Sequence, residues 1–425
     1  MLQRIVTVAF AVAWMNAVAF AQERTRTPAE ILQLAIEQNR ELQEARQHVA
    51  EAQGLLRQAG VRLNPVVEIE GATGRPFGTK SEEEYSAGYF QPIELGGKRD
   101  KRIAVGQYGV TVAQAELDQR TRQLVFDVKT SLAALEAAEA KRDALSRQLA
   151  AAQESARLTR ARVAAGDAAA LEEQLLLTEI VRTQAELATF RGRRASALID
   201  LQRVAGLTSA ETIDVSKQPP TDRDLALPDL QSRALSRPDL QSARAVEAQA
   251  VAATTLARAE GVPDLTAFAK YSHRTSAFEH LFGLTSTGAL SPLIDHDNVL
   301  SWGVSIPVFA PRRNQGNVQA AFARSEAARL ERERIELAIP QQVAAAYQRW
   351  TSARQTLALF RSVMEQSEKN LGVMRQAYEL GQLRLLDVLN EQRRLIDTEL
   401  SYIDAQTELA EAAADLERVV GSDLS

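Results

Sequence analysis

An apolar stripe with coiled-coil spacing constrains the fold of this chain more than any other feature of its sequence. Between Ile339 and Tyr378 the steps alternate strictly between four and three residues, and only Ser367 is plainly polar. A repeat of about 3.5 residues is typical of long helices that supercoil around partner helices. The stripe comprises Ile339, Val343, Ala346, Trp350, Ala353, Leu357, Phe360, Met364, Ser367, Leu371, Met374 and Tyr378.

The same spacing occurs a second time, earlier in the chain. Tyr378 and Val163 are 215 residues apart (378 − 163), and this shift also places Gly381 on Gly166. The earlier stripe comprises Leu124, Val128, Ser131, Leu135, Ala138, Arg142, Leu145, Leu149, Ala152, Ala156, Thr159 and Val163. One shift that holds over so many positions indicates internal duplication, so we expect two matched helical hairpins.

The earlier stripe lies in a segment that predicts one uninterrupted helix. Residues 98–165 contain no proline, and glycine occurs only near their start. At about 1.5 Å per residue, such a helix is roughly 100 Å long and has to lie in a bundle. Gly166 permits the positive φ at which the chain reverses. We expect the return helix to run from Ala168 to about Ala205.

A β-hairpin is predicted before each long helix. Residues 66–72 and 84–93, and then 264–272 and 299–309, contain β-branched and aromatic residues in partial alternation. The repeats match at a shift of 198 before the hairpins and 215 after them, so 17 residues (215 − 198) are inserted in the second hairpin. We expect this insertion to form a polar loop over residues 273–298.

The N-terminus has the pattern of a secretory signal. Arg4 is followed by an apolar run, and Ala19-Phe20-Ala21 is a suitable cleavage site. Because the chain has no cysteine, we expect no disulfide and no lipid anchor. A formal net charge of -5 does not favour nucleic acid as a partner.

Four regions follow from these patterns. Residues 1–21 form the signal peptide, and residues 22–206 the first repeat, with strands over about 66–93 and a coiled-coil hairpin over about 98–206. Residues 207–227 are rich in proline and polar residues and are predicted to be a linker or equatorial segment. Residues 228–425 form the second repeat, with strands over about 264–309 and a coiled-coil hairpin over about 312–421.

Chemistry-bearing motifs are sparse. The sequence contains no nucleophile elbow, zincin motif or phosphate-binding loop, so we expect no enzyme activity and no cofactor. Histidines and carboxylates can bind zinc or copper. In the expected polar loop their irregular spacing is more typical of solvated side chains, so no metal site is predicted. The weak candidates for metal ligands in this loop are His273, His280 and His296.

The two helix reversals carry the remaining candidate residues. Glu172 and Asp387 are equivalent in the two repeats and lie in the first turn of the return helices, where a carboxylate is favoured by the helix dipole even when it is simply solvated. The candidates are Gly166, Asp167, Leu171, Glu172, Tyr378, Gly381, Leu383, Arg384, Asp387 and Asn390.

Taken together, these features resemble the TolC family of outer-membrane efflux proteins. The resemblance covers essentially the whole mature chain and rests on residues 91–99 (QPIELGGKR), 305–309 (SIPVF), 314–317 (NQGN), the Tyr378-x-x-Gly381 motif and 387–389 (DVL). The E-L-G-G-K-R string is most similar to the CzcC-like, cation-efflux branch.

The resemblance implies a mainly α fold with a small β part. Duplicated coiled-coil hairpins and two β-hairpins per chain would form a homotrimer, with a 12-stranded outer-membrane β-barrel continuous with a periplasmic α-barrel. Four strands cannot close a barrel alone, and open edges cannot face lipid. The expected partners are outer-membrane lipid, a periplasmic adaptor (membrane fusion protein) and an inner-membrane pump of the RND or ABC type.

The implied function is that of an exit duct in a tripartite system for heavy-metal or drug efflux. A component of type I protein secretion and a periplasmic coiled-coil adaptor are the alternatives, although an adaptor would not carry two equal repeats. Glu172 and Asp387 would each recur three times in a trimer and form carboxylate rings, which favour cations or act in a gate. Solvated acids at helix starts remain the alternative explanation.

The implied periplasmic gate is only partly retained. Tyr378 and Asp387 match gate positions of the family, whereas Leu383 and Asn390 stand where an arginine and a second aspartate are expected. Leu171 and Glu172 replace the Thr-Asp pair that would face the arginine. An apolar contact between Leu171 and Leu383, or a substitute role for Arg384, are the two hypotheses for the altered gate.

Overall fold

The computed structural model describes residues 27–74, 82–207, 225–308 and 314–422. Its elements follow one another as α1 (Pro28–Gln38), α2 (Arg40–Ala59), β1 (Val66–Thr73), β2 (Glu83–Ile93), α3 (Lys98–Ala165), α4 (Ala170–Ala205), α5 (Leu227–Ala234), α6 (Pro238–Glu260), β3 (Leu265–Leu284), β4 (Leu290–Ser305), α7 (Gln315–Glu379) and α8 (Leu385–Val420). The chain is therefore mainly helical, as expected. The predicted signal peptide and most of the predicted linker lie outside the described residues.

The long helices have the predicted register. α3 contains 68 residues and α7 contains 65. Every residue of both stripes is buried or half-buried. Burial of a 3.5-residue repeat against neighbouring helices is the packing that such a pattern specifies. In the described part of the chain, no helix is long and apolar enough to cross a membrane.

The N-terminal helical segment consists of two consecutive helices, α1 and α2. At the start of α1, Thr27 and Glu30 form a reciprocal capping box. The helix breaks at Asn39, whose side-chain oxygen accepts hydrogen bonds from the backbone N–H groups of Glu41 (2.9 Å) and Leu42 (3.1 Å). Asn39 thereby caps a second helix, a role for which asparagine is well suited.

The four strands form one antiparallel sheet in the order β1-β2-β3-β4. The polar loop expected over residues 273–298 is wrong. β3 and β4 pair through most of the insertion, with a register irregularity between Phe278 and Phe282. They are joined at Thr285–Ala289, where Gly288 has a φ of 79°. The insertion therefore lengthens the hairpin, because pairing satisfies the inserted backbone groups.

Contacts divide the chain into two compact units. The first takes its described residues from Met1–Gln47, Glu116–Pro238 and Glu336–Ser425 and contains three apolar clusters between helices. The second, His48–Ala115 and Asp239–Ile335, contains the sheet. In this second unit Lys98 binds Asp264 at 2.7 Å, and the same carboxylate accepts the backbone N–H of Leu95. These bonds fix the turn from β2 into α3.

Candidate functional site

One face of the sheet is apolar and exposed. Successive residues of a strand point to opposite faces, so the observed register decides which side chains share a face. Trp302 is 81% exposed and Ile69 is 83% exposed on this face. A sheet face of this composition is typical of contact with lipid or with another protein. The apolar face comprises Val67, Ile69, Tyr85, Tyr89, Ile93, Tyr271, Leu300, Trp302 and Val304.

The opposite face of the sheet is charged. Lys270 on β3 binds Glu70 on β1 at 2.6 Å, and Arg274 on β3 binds Glu84 on β2 at 3.0 Å. Acids outnumber bases on this polar face. Its charged residues are Glu68, Glu70, Glu84, Lys270, Arg274, Asp295 and Asp297. The sheet is therefore amphipathic, as a strand set between lipid and water would be.

The two helix reversals have the same backbone geometry. Gly166 (φ 81°) and Gly381 (φ 74°) are left-handed, and each donates its N–H to the carbonyl three residues earlier. The next residues, Asp167 and Gln382, donate to the carbonyls of Arg162 and Ala377. This is the Schellman arrangement, in which glycine avoids the steric penalty of a Cβ at positive φ. The predicted reversals are confirmed.

The four long helices meet beside these reversals in a small apolar cluster. Its buried members are Ala156 on α3, Leu176 on α4, and Leu385 and Leu389 on α8, and Tyr378 on α7 packs against them. We call this set the tip cluster. It joins the end of the first helical hairpin to the end of the second.

Tyr378 provides a polar link across the same junction. Its hydroxyl donates to the Glu172 carboxylate on α4 (2.9 Å) and accepts from Arg162 on α3 (3.3 Å). Burial raises the pKa of Tyr378, and the hydrogen bond to Glu172 adds to that shift. A raised tyrosine pKa keeps the hydroxyl protonated, so it remains a donor at neutral pH. The structure thus brings Tyr378 and Glu172 together.

The other candidate residues have different environments. Asp387, although equivalent to Glu172, accepts the backbone N–H of Arg384 at 3.2 Å and so caps its own helix. Leu171 is 68% exposed, and Leu383 is half-buried outside the tip cluster. Asn390 is exposed. The equivalence in sequence therefore does not give Glu172 and Asp387 the same contacts.

Sequence reasoning missed a buried ion pair two turns beyond Glu172. Glu179 on α4 accepts two hydrogen bonds from Arg393 on α8, at 3.0 and 2.6 Å. The side chain of Glu179 is 4% exposed and that of Arg393 is 37% exposed. Because residues seven apart share a helix face, the spacing of Glu172 and Glu179 was the available signal. This second link also joins the first hairpin to the second.

The histidines lie on strands rather than in a loop. His273 is on β3 and His296 on β4, while the side chain of His280 lies outside the described part of the structure. Among the described residues, no group of three or more histidines and carboxylates is placed to hold a metal ion.

Comparison with known proteins gives consistent matches. The profile described as "Outer membrane efflux protein" matches residues 31–207 and 230–422. Cobalt-zinc-cadmium resistance protein CzcC of Cupriavidus metallidurans is 25% identical over 392 residues, covering 92% of this chain and 88% of the relative.

Solved channels have a similar fold. A structure of CusC has a TM-score of 0.75 at 20% identity, with 94% of this chain and 93% of that chain covered. The open state of the MtrE outer membrane channel of Neisseria gonorrhoeae has a TM-score of 0.72 at 19% identity, with coverages of 94% and 89%.

Proposed function

The chain belongs to the outer membrane efflux protein family and is an outer-membrane efflux channel, and on that premise we propose that it works as a homotrimeric exit duct for divalent metal ions. A periplasmic adaptor would connect it to an inner-membrane pump. The pump would supply the energy, and the duct itself would do no chemistry.

The amphipathic sheet is the observation that carries the trimeric duct. β1 and β4 form the two edges of the described sheet, and their outward backbone groups have no strand beside them. In a bilayer such edges have to be paired, because lipid cannot satisfy backbone hydrogen bonds. Strands of two further copies would pair them in a twelve-stranded barrel. The apolar face would then meet lipid, and the polar face would line the lumen.

Two features support metal cations as the substrate class. The CzcC relative is named for cobalt, zinc and cadmium resistance, and it matches over nearly the whole chain. In the proposed barrel, the acidic excess of the polar face, with Glu68, Asp295 and Asp297 beyond the two ion pairs, would attract cations. The selection of one ion over another would remain with the pump.

The tip cluster and its two polar links are the proposed periplasmic gate. Tyr378 with Glu172, and Arg393 with Glu179, each tie the first helical hairpin to the second. Separation of the hairpins would open the duct, and an adaptor bound at the reversals would favour that separation. Carboxylate rings formed by Glu172 and Asp387 in the trimer would lie close to this gate.

The proposed function predicts both an assembly and a phenotype. Expressed with its own N-terminus, the protein should fractionate with outer membranes and cross-link as a trimer in detergent. Deletion of its gene should lower resistance to cobalt, zinc or cadmium, measured as growth in graded metal concentrations. A monomer in the periplasmic fraction, or a deletion strain with unchanged resistance to all three metals, would contradict the proposal.

A paired substitution tests the two faces of the sheet. Trp302→Lys places a charge on the apolar face and should reduce the amount of trimer in the outer membrane, since a lysine facing lipid costs free energy, up to about 4 kcal/mol at the bilayer midplane. Ser301→Lys, the adjacent residue on the polar face, should leave the trimer near its normal level. Quantitative blotting of outer-membrane fractions gives the comparison. Equal loss of trimer in both variants would remove the face assignment.

A further inference from the structure

Two histidines stack on the neighbouring strands β3 and β4, where the four-stranded part of the sheet ends. His273 and His296 have ring centroids 5.8 Å apart and planes inclined by only 11°. They lie on the same side of the sheet as Trp302 and Leu300, opposite the charged polar face. The β1–β2 pairing ends at the same level, since Thr275 lies beside Glu83, the first residue of β2. The pair is therefore separate from the surface proposed to line the lumen.

A hydrogen bond at Nδ1 orients each of the two rings. Nδ1 of His273 lies 2.9 Å from Oδ1 of Asn298, an oxygen that also accepts the Tyr271 hydroxyl at 2.7 Å. Because an amide oxygen can only accept, Nδ1 of His273 carries the proton and Nε2 carries the free lone pair. Nδ1 of His296 similarly contacts the Thr275 hydroxyl at 3.1 Å. Metal-binding histidines are commonly held in this way, with the second ring nitrogen bonded to an oxygen.

We propose that His273 and His296 form a two-histidine site for one divalent transition-metal ion such as Zn²⁺, Ni²⁺ or Cu²⁺. Each ring contributes Nε2, and water completes the coordination. Imidazole is a good ligand for these ions. At metal–nitrogen distances of about 2.0–2.1 Å, the two Nε2 atoms have to come within about 4.2 Å of each other. His296 is exposed and His273 half-buried, so the imidazole rings have room to reorient towards a shared ion.

The site has two physical consequences. The ion links β3 to β4 where the four-stranded part of the sheet ends and so restrains the long hairpin. With two protein ligands, it exchanges readily with solution rather than acting as a permanent structural ion. The site does not depend on the proposed transport role, because its ligands and position are set by the hairpin alone.

Binding of Zn²⁺ to the purified, untagged mature protein in detergent tests the proposal by titration calorimetry. His273→Asn and His296→Asn should each weaken binding at least tenfold. His48→Asn is the matched control, because His48 is an exposed histidine on α2 beside Glu51 and lies far from the pair in sequence. It should leave the affinity unchanged. Circular dichroism and trimer cross-linking verify that each variant folds.

Two further measurements make the result decisive. Electron paramagnetic resonance of bound Cu²⁺ should show coupling to two imidazole nitrogens, and to fewer in either single variant. His280→Asn should retain the affinity of the unmodified protein. The proposal is overturned if neither His273→Asn nor His296→Asn weakens binding, if His48→Asn or His280→Asn weakens it equally, or if the Cu²⁺ spectrum shows no nitrogen pair.

Discussion

Replacement of Arg393 by methionine is expected to increase the population of the open state of the tip cluster by about 30- to 150-fold. The substitution leaves the Glu179 carboxylate, with 4% of its side chain exposed, without its principal partner. Removal of one member of a buried ion pair typically destabilises by about 3–5 kcal/mol. Arg393 is itself 37% exposed and Arg182 lies 3.8 Å from Glu179. We therefore expect the substitution to destabilise the closed tip cluster by about 2–3 kcal/mol.

Thiol labelling measures this opening directly. The chain contains no cysteine, so Ala156→Cys introduces a unique thiol at a position that is 5% exposed in the tip cluster. Its labelling rate in the natively folded protein reports how often the cluster opens. The labelling rate is compared between the Ala156→Cys protein and the same protein with the additional Arg393→Met substitution. The thermal unfolding of the whole protein, followed by circular dichroism, separates local opening from global loss of structure.

Two controls define the origin of the effect. Arg157→Met removes an arginine from an exposed pair with Glu154 on the same helix as Ala156, and it should change the rate less than about threefold. The double variant Glu179→Leu with Arg393→Leu replaces both charges by apolar groups and should recover most of the lost closure. Unchanged labelling in Arg393→Met, or equal acceleration in Arg157→Met, would show that the buried pair does not hold the hairpins together.

The helical part of the fold could be predicted because its information is local. The four-three spacing specifies which face of each long helix is buried, and the stripe positions between Ile339 and Tyr378 are buried or half-buried as expected. The reversals could be predicted for the same reason, since Gly166 and Gly381 are needed for positive φ. In both cases a few adjacent residues determine the structure.

The second hairpin shows where local patterns are insufficient. His273 and His296 lie in a segment whose polarity resembles that of a loop, yet backbone pairing makes it a strand. Side-chain polarity predicts a solvated loop only when the backbone has no pairing partner, and the partner strand here is the other half of the insertion. The Thr285–Ala289 segment, with Gly288 at positive φ, was the signal for a hairpin turn.

The candidate gate was predicted in its location but not in its bonds. Glu179 and Arg393 are 214 residues apart, so their pairing depends on the relative placement of α4 and α8 rather than on sequence spacing. Glu172 and Asp387 are equivalent in the duplication, but only Glu172 has a tyrosine hydroxyl in reach. The duplicated chain therefore places one carboxylate between the hairpins and uses the other as a helix cap.

Tyr378→Phe is expected to open the channel about 5- to 30-fold more often than the unmodified protein. The substitution removes the hydroxyl that donates to Glu172 and preserves the ring that packs on the tip cluster. A hydrogen bond to a charged group contributes about 1.5–3 kcal/mol, and partial exposure of Glu172 reduces this to about 1–2 kcal/mol. Single-channel recording in planar bilayers measures the open probability.

The pH dependence of this link follows from the direction of the tyrosine shift. Because the pKa of Tyr378 is raised above 10.0, the link is complete at neutral pH and is lost only as pH rises through the raised value. Ionisation of Tyr378 should therefore not change the open probability between pH 7 and 9.

Tyr347→Phe is the matched control for Tyr378→Phe, since the Tyr347 hydroxyl donates to the Leu225 carbonyl at 3.1 Å and does not bond at the reversals. If Tyr347→Phe and Tyr378→Phe raise the open probability equally, the Tyr378–Glu172 bond is not a gate.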